Sequence, residues 1–165
     1  MHVVIIGNGI AANLGALYLR KRLPPRVAIT LVGPEDRGGL PLVGESLIEI
    51  TGNFLENRLG LGQYLRRNHQ PKYGLTYYFK LDPENPADRT YCVQGTLTTP
   101  RNQTPLEGWE GPMARPPSWQ LNRTTFDRDI QSMVGEDGEI DRIHGRVIEI
   151  DLAGTGRHRL QVEEA

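Results

Sequence analysis

His2-Val3-Val4-Ile5-Ile6-Gly7-Asn8-Gly9-Ile10-Ala11-Ala12 decides how this chain is read. His2 to Ile6 is a short, largely apolar, β-branched run of the kind that forms a buried strand. Gly7 to Ala12 then fits the pattern G-x-G-x-x-G/A, and Asn13 to Leu23 carries Leu14, Leu17 and Tyr18 at helical spacing. Strand, glycine turn and helix in that order are the context the pattern requires. The first glycine permits the turn. Gly9 lets the backbone approach a diphosphate with no Cβ in the way. Ala12 is small enough for the helix to pack close to the strand. The helix start offers unpaired N–H groups and a positive dipole end to an anion. Gly7, Gly9, Ile10, Ala11 and Ala12 are therefore the candidate seat of a dinucleotide. The plainer alternative is a glycine turn at an ordinary β-α junction.

Working outward, Pro24-Pro25 stops the helix, and Arg26 to Val32 reads as a second strand. The β-α-β unit should cross over right-handed into a parallel sheet. A dinucleotide site usually has an acid at the end of this strand to hold the ribose hydroxyls. Gly33 occupies that place, with Glu35 and Asp36 just beyond. Either Glu35 reaches back to the ribose, or Gly33 to Asp36 is a solvated turn.

Arg37 to Ser46 holds three glycines and a proline, which forbids a regular element and leaves a shaped loop. Ser46, with Glu49 three residues on, predicts a capping box for a helix over Leu47–Asn57 that buries Leu47, Ile48, Phe54 and Leu55. Gly60 ends that helix, and a second runs over Gly62–Asn68. Glu45 and Glu49 sit at i,i+4, a spacing open to an acid/base pair and equally to a wet helix face. Tyr73–Lys80 alternates and is aromatic, so it predicts a strand whose rings face either a flat substrate or the core. Residues 82–117 hold seven of the twelve prolines and predict an irregular insertion, with one strand near Thr90–Gln94. Ser118 to Arg123 returns to a strand pattern. A helix over Thr124–Val134 follows, with Phe126, Ile130 and Val134 on one side. Glu139–Ile143, Arg146–Leu152 and His158–Val162 predict three strands, the last two joined as a hairpin through Gly154-Thr155-Gly156.

Composition narrows the function classes. With 165 residues, 38% hydrophobic and 24% charged, the chain suits one soluble globular domain. A net charge of −1 gives no general attraction to nucleic acid. No apolar stretch approaches membrane-spanning length, and the opening run is too short and lacks the basic flank of a signal peptide. The expectation is a cytoplasmic protein. Cys92 is alone, and the histidines at 2, 69, 144 and 158 show no ligand spacing, so no metal is expected.

Four stretches now line up: the Gly7–Ala12 turn, Val43-Gly44-Glu45-Ser46, the segment Gln120-Leu121-Asn122-Arg123 with Phe126-Asp127, and Gly145-Arg146-Val147 leading the hairpin. Together they resemble the FAD-dependent tryptophan-halogenase-like family, part of the wider group of flavin monooxygenases. The Val-Gly-Glu-Ser loop, followed by a helix and the Lys72-Tyr73-Gly74-Leu75 strand, is the more specific sign. The resemblance covers nearly the whole chain but only the first third or so of a family member. It implies an α/β, Rossmann-like FAD/NAD(P)-binding fold with a parallel sheet and an added hairpin or meander. Residues 1–165 would be the N-terminal part of the FAD-binding domain.

The resemblance also implies roles. Gly7, Gly9, Ile10, Ala11 and Ala12 would hold the FAD diphosphate. Glu35 is the nearest carboxylate for the ribose. Val43, Gly44, Glu45 and Ser46 would form a strap between flavin and substrate pocket. Arg123 would contact the cofactor, and Val147 would meet the adenine through its backbone. The implied activity is oxidation with O2 of halide or of an aromatic or other small organic substrate, fed by a separate flavin reductase. The family places a catalytic lysine in the strand corresponding to Tyr73–Lys80, and counting four residues from Lys72 puts Thr76 there. A threonine cannot act as an ammonium group, and Lys80 lies on the same face by parity, further along. No catalytic residue is assigned. Two other readings stand beside this one: an NAD(P)-binding dehydrogenase or flavin reductase using the same turn, and a non-catalytic remnant that serves as a binding or interaction module and needs a partner or further chain to cover its sheet edges.

Overall fold

The computed structural model describes residues 1–35, 43–72, 75–79, 84–85, 91–95, 118–154 and 156–164. The loop over 36–42, with Asp36, and most of the proline-rich stretch 82–117 lie outside the described residues. So do Lys80, Thr155 and the ring side chains expected on the Tyr73–Lys80 strand. The chain divides into two compact units, Met1–Val43 with Arg123–Ala165, and Gly44–Asn122.

In the first unit, β1 (His2–Ile6), α1 (Ile10–Arg22) and β2 (Ala28–Gly33) form the expected β-α-β unit, with β1 and β2 parallel and paired from His2–Ala28 to Ile6–Val32. α4 (Arg123–Glu136) leads to β7 (Ile140–Asp151), and β8 (Arg159–Glu164) turns back on it. The sheet order is β1-β2-β7-β8. β2 lies between parallel neighbours, and all of its residues but Ala28 are buried, as a strand covered on both faces requires. Ile29, Leu31 and Ile140 pack with Ala16 of α1 and Val134 of α4, and Ile5, Ala12, Leu17, Leu19 and Leu23 close around them. Each of the buried Ile29, Leu31, Val134 and Ile140 side chains contributes roughly 2 kcal/mol by leaving water.

Two expectations change here. α1 begins at Ile10 rather than Asn13, because the glycine turn runs directly into it. Its fully buried positions are Asn13 and Ala16, small side chains where the helix lies against both the sheet and α4. The predicted strands Glu139–Ile143 and Arg146–Leu152 are one continuous strand, β7. Its first part pairs parallel with β2, from Ile140 to His144. Its second part, from Gly145, pairs antiparallel with β8. Gly145 breaks nothing: a Cβ there would lie 2.6 Å from both the Glu163 carbonyl oxygen and Val162 Cγ1, so only glycine lets β8 come this close. The α4 prediction holds, with Phe126, Ile130 and Val134 buried.

The second unit contains α2 (Glu49–Asn53) running into a π-helical turn (Phe54–Arg58), then α3 (Gly62–Asn68). β3 (Gln70–Lys72) pairs antiparallel with β6 (Ser118–Gln120), and β4 (Leu75–Phe79) with β5 (Tyr91–Gly95). Gly60 follows the first helical run with φ +74, a backbone that favours glycine, as expected of its terminator. The capping box does not form. Ile48 occupies the N-cap position and no side chain caps the helix. Ser46 instead forms an antiparallel bridge with Gln120. Leu55 is buried as predicted, but Ile48 is 55% exposed.

Candidate cofactor site

Gly7, with φ +129, turns the chain out of β1, and its N–H bonds the Val32 carbonyl of β2 at 2.7 Å. A Cβ at Gly7 would sit 3.6 Å from Ala12 Cβ, so the small residue at 12 does let helix and turn meet closely. Gly9 is the N-cap of α1, with φ −76, and no side chain caps the helix there. The N–H groups of Ile10, Ala11 and Ala12 open the first turn, where a helix has no acceptors of its own. Around Gly9 the space is open: a Cβ would meet nothing within 4 Å. Neither backbone angle nor internal packing asks for glycine at this position. The open space and the unpaired N–H groups beside it are the kind that an anion such as a diphosphate fits.

Asn8, between the two glycines, is bound on every side. Its Nδ2 donates to the Pro34 carbonyl at 2.9 Å, and its Oδ1 accepts from Arg142 Nη2 at 2.9 Å. Asn13, fully buried, sends Nδ2 to the Asn8 carbonyl at 2.9 Å, the Gly9 carbonyl at 3.0 Å and Asn8 Oδ1 at 3.3 Å. Its Oδ1 has no partner. Gln131 of α4 donates to the Asn8 carbonyl at 3.4 Å, and Arg142 Nη1 donates to the Gln131 carbonyl at 3.3 Å.

The missing acid at the end of β2 has a steric reason. A Cβ on Gly33 would lie 2.7 Å from the carbonyl carbon of Gly7 and 2.9 Å from Asn8 Cβ. The turn is packed directly on the strand end, so no side chain fits. Glu35, two residues on, is exposed.

Arg123 opens α4. Its Nε and Nη2 donate to the two carboxylate oxygens of Asp127 at 2.7 and 2.9 Å, and its Nη1 donates to the Val43 carbonyl at 2.7 Å. The hydrogen bond to Asp127 raises the Arg123 pKa above its ordinary value, against the lowering effect of burial. Arg123 thus fixes the start of the Val43–Ser46 segment. Val43 is 83% exposed, Gly44 has φ +88, and Glu45 and Ser46 are exposed. Within the second unit, the rest of the segment is held by its backbone along β6. Leu121 N–H donates to the Glu45 carbonyl at 2.7 Å, and Leu47 N–H to the Trp119 carbonyl at 2.9 Å. Val147 lies on β7 opposite Val162, at a register shift between Val147 and Glu149.

Sequence reasoning passed over Lys72. Its ammonium group donates to Ser46 Oγ at 2.7 Å and to the Leu47 carbonyl at 3.0 Å. Ser118 Oγ, fully buried, donates to the same carbonyl. The signal was available: a lysine just before the aromatic strand and a serine in the conspicuous loop, though nothing local joins them across 26 residues. Thr76 lies on β4, and its side chain is outside the described residues. Asn13 and Arg142 were also missed, having no motif of their own. Among the described residues there is no group of three or more His, Cys, Asp or Glu placed to hold a metal. None of the described helices is long and apolar enough to cross a membrane.

Comparison with known proteins gives these features a family. The model of the tryptophan halogenase family matches residues 2–85. The chain is 29% identical over 155 residues to the flavin-dependent halogenase chlA of Dictyostelium discoideum, covering 90% of this chain and 23% of that protein. Among solved structures, it resembles the tryptophan 6-halogenase SttH of Streptomyces toxytricini with a TM-score of 0.69 and 17% identity, over 99% of this chain and 41% of that one. It resembles the flavin-dependent halogenase CmlS with a TM-score of 0.68 and 25% identity, over 98% of this chain and 26% of that one. The chain therefore spans well under half the length of the relatives it matches, while nearly all of it shares their fold. With the glycine turn and the β7–β8 hairpin found in a Rossmann-like α/β frame, this chain belongs to the tryptophan halogenase family.

Proposed function

We propose that this chain is the FAD-binding, N-terminal part of a flavin-dependent oxidoreductase of the halogenase and monooxygenase class. The carrying observation is the turn at Gly9: an uncapped helix start beside a glycine that the chain's own packing does not need. The backbone of Gly7 and Gly9 and the N–H groups of Ile10, Ala11 and Ala12 would hold the diphosphate. Glu35 is the carboxylate offered to the ribose, and the Val147 backbone is offered to the adenine. Val43 to Ser46 would be the strap between flavin and substrate, tied at its start by Arg123. When bound, FAD supplies the oxidising chemistry with O2, and the protein's part is position and access.

Lys72, rather than a residue at position 76, is the cation this reading assigns to the strap. Its ammonium group has three donors, and Ser46 Oγ and the Leu47 carbonyl orient it. A charge fixed in this way has one N–H left to donate and adds an electrostatic attraction for an anion or an oxidised halide that a neutral hydroxyl lacks. The substrate is a small organic molecule, with halide as a co-substrate and reduced flavin delivered by a separate reductase. The relatives it matches are longer than this chain, and the remainder of such a substrate pocket would lie in sequence beyond the region they share with it.

The test is FAD binding, followed by quenching of flavin fluorescence on titration with protein. The expected result is saturable binding that ADP competes away. Protein that leaves flavin fluorescence unchanged, or that takes up NADPH instead, overturns the reading in favour of a nicotinamide-binding or non-catalytic module.

A further inference from the structure

A polar cluster of the first unit surrounds the glycine turn, and neither the family motif nor the proposed cofactor contacts explain it. Asn8 is its hub. The Asn8 side chain bonds β2's end through the Pro34 carbonyl, β7 through Arg142 and α1 through Asn13, while its carbonyl takes Gln131 of α4. Both polar atoms of that side chain are used inside the protein, so Asn8 serves as a pin for the turn and not as a ligand contact. Arg142 is the charged member. It sits on β7 opposite Leu31 of β2, and its fork spans two acceptors, Asn8 Oδ1 at 2.9 Å and the Gln131 carbonyl at 3.3 Å.

A turn containing Gly7 and Gly9 has an unusually large conformational entropy to lose when it is ordered around a ligand. A turn already fixed by side chains binds without that cost. We propose that Arg142 is a positioning residue for the diphosphate-binding turn, acting through Asn8 to hold the Gly9–Ala12 amides in their binding arrangement. The proposal rests on the FAD reading above for its ligand, but not for its mechanics. Charge assistance makes the arginine–amide bond stronger than a neutral pair. The fork geometry also means that lysine, whose donors all sit on one nitrogen rather than on a planar fork, can replace only part of it.

The experiment compares wild type with Arg142→Met, Arg142→Lys, Asn8→Ala and the Asn8→Ala/Arg142→Met double variant. FAD affinity is measured by fluorescence, and amide hydrogen exchange is measured on FAD-free protein. Arg142→Met is expected to weaken FAD binding about tenfold, equivalent to about 1.4 kcal/mol. It is also expected to speed exchange at the turn's hydrogen-bonded amides, Gly7 N–H on the Val32 carbonyl and Asn13 N–H on the Gly9 carbonyl, while leaving the β7–β8 amides unchanged. Arg142→Lys should recover part of both effects. The double variant should lose little more than Asn8→Ala alone, since the arginine's shorter bond to the turn runs through the Asn8 side chain and only its longer bond to the Gln131 carbonyl is independent of it. Wild-type exchange at the turn in Arg142→Met, or additive losses in the double variant, overturn the proposal. Should Arg142→Met fail to fold, Arg142→Lys carries the same comparison in smaller measure. A wild-type protein that binds no FAD sinks the functional reading, while the exchange measurement still decides whether Arg142 fixes the turn.

Discussion

The glycine turn and the strap are both irregular, glycine-bearing segments, yet they are held in opposite ways. The turn is pinned through side chains: Asn13 and Gln131 occupy its carbonyls and Arg142 holds the Asn8 side-chain amide from inside the fold, leaving the backbone N–H groups of the helix start open. The strap's Glu45 to Leu47 run is held by its backbone along β6, and the side chains of Val43, Glu45 and Ser46 stay exposed. In the turn, the backbone is what a ligand would meet, so the side chains serve the fold. In the strap, the backbone serves the fold, Ser46 Oγ takes Lys72, and the side chains of Val43 and Glu45 would be left for a ligand. A segment's sequence therefore constrains different atoms in the two places, and substitutions should fail for different reasons.

The harshest way to break this contrast is Gly33→Glu, which restores the acid found at the end of β2 in many dinucleotide sites. Its Cβ would collide with Gly7 and Asn8 backbone, neither of which is a flexible side-chain end. The expected loss is about 3 kcal/mol of unfolding free energy in urea titrations, with FAD binding lost as well. A variant of wild-type stability would show that the turn moves away cheaply and is no rigid template.

Arg123→Met comes next and acts at the strap's origin. It removes the fork from Asp127, whose side chain is only 11% accessible, and frees the Val43 carbonyl. The expected cost is about 2 kcal/mol, mostly from the stranded carboxylate, and Arg123→Met/Asp127→Leu should recover most of it. The arginine's raised pKa sets the sign of any pH effect. A raised folded-state value stabilises the fold below the ordinary arginine range and is lost only as pH rises through the still higher folded value. The Arg123 guanidinium should thus contribute no pH dependence to melting between neutral and mildly alkaline conditions.

Gly9→Ala should have the smallest effect on the fold and sharpens the comparison most. The added methyl group meets nothing and the backbone angle is ordinary, so melting should be unchanged or slightly higher. FAD affinity should still fall about tenfold, because the methyl group would occupy the space a diphosphate approaches. Unchanged affinity would mean that no ligand comes close at Gly9.

Much of the first unit could be read from the chain because its signals are local. The apolar run of β1, the glycine turn and the β-branched β2 follow one another within about thirty residues, and each is diagnostic by pattern alone. The failures came where partners lie far away in sequence. Ser46 has the local signature of a helix cap, but Lys72, from β3, competes successfully for its hydroxyl. Gly145 looks like the end of a strand and is instead a point of close approach to β8. β3 is only three residues long and carries Pro71, so no periodicity announces it. The same holds at the site. Gly7, Gly9 and Ala12 are legible because the turn's geometry dictates them, whereas the bond between Arg142 and Asn8 spans 134 positions and leaves no mark on either neighbourhood.

β7 carries a practical lesson for anyone recombining this family. A single strand joins the parallel layer through residues 140–144 and the hairpin through residues 145–151, with no loop between them. A chimera cut at Gly145 would sever a continuous backbone ladder and part Arg142 from the hairpin that carries Val147. Donor and host should be spliced ahead of Ile140, in the Asp137–Glu139 turn, so that the whole of β7 and β8 travels as one inherited piece.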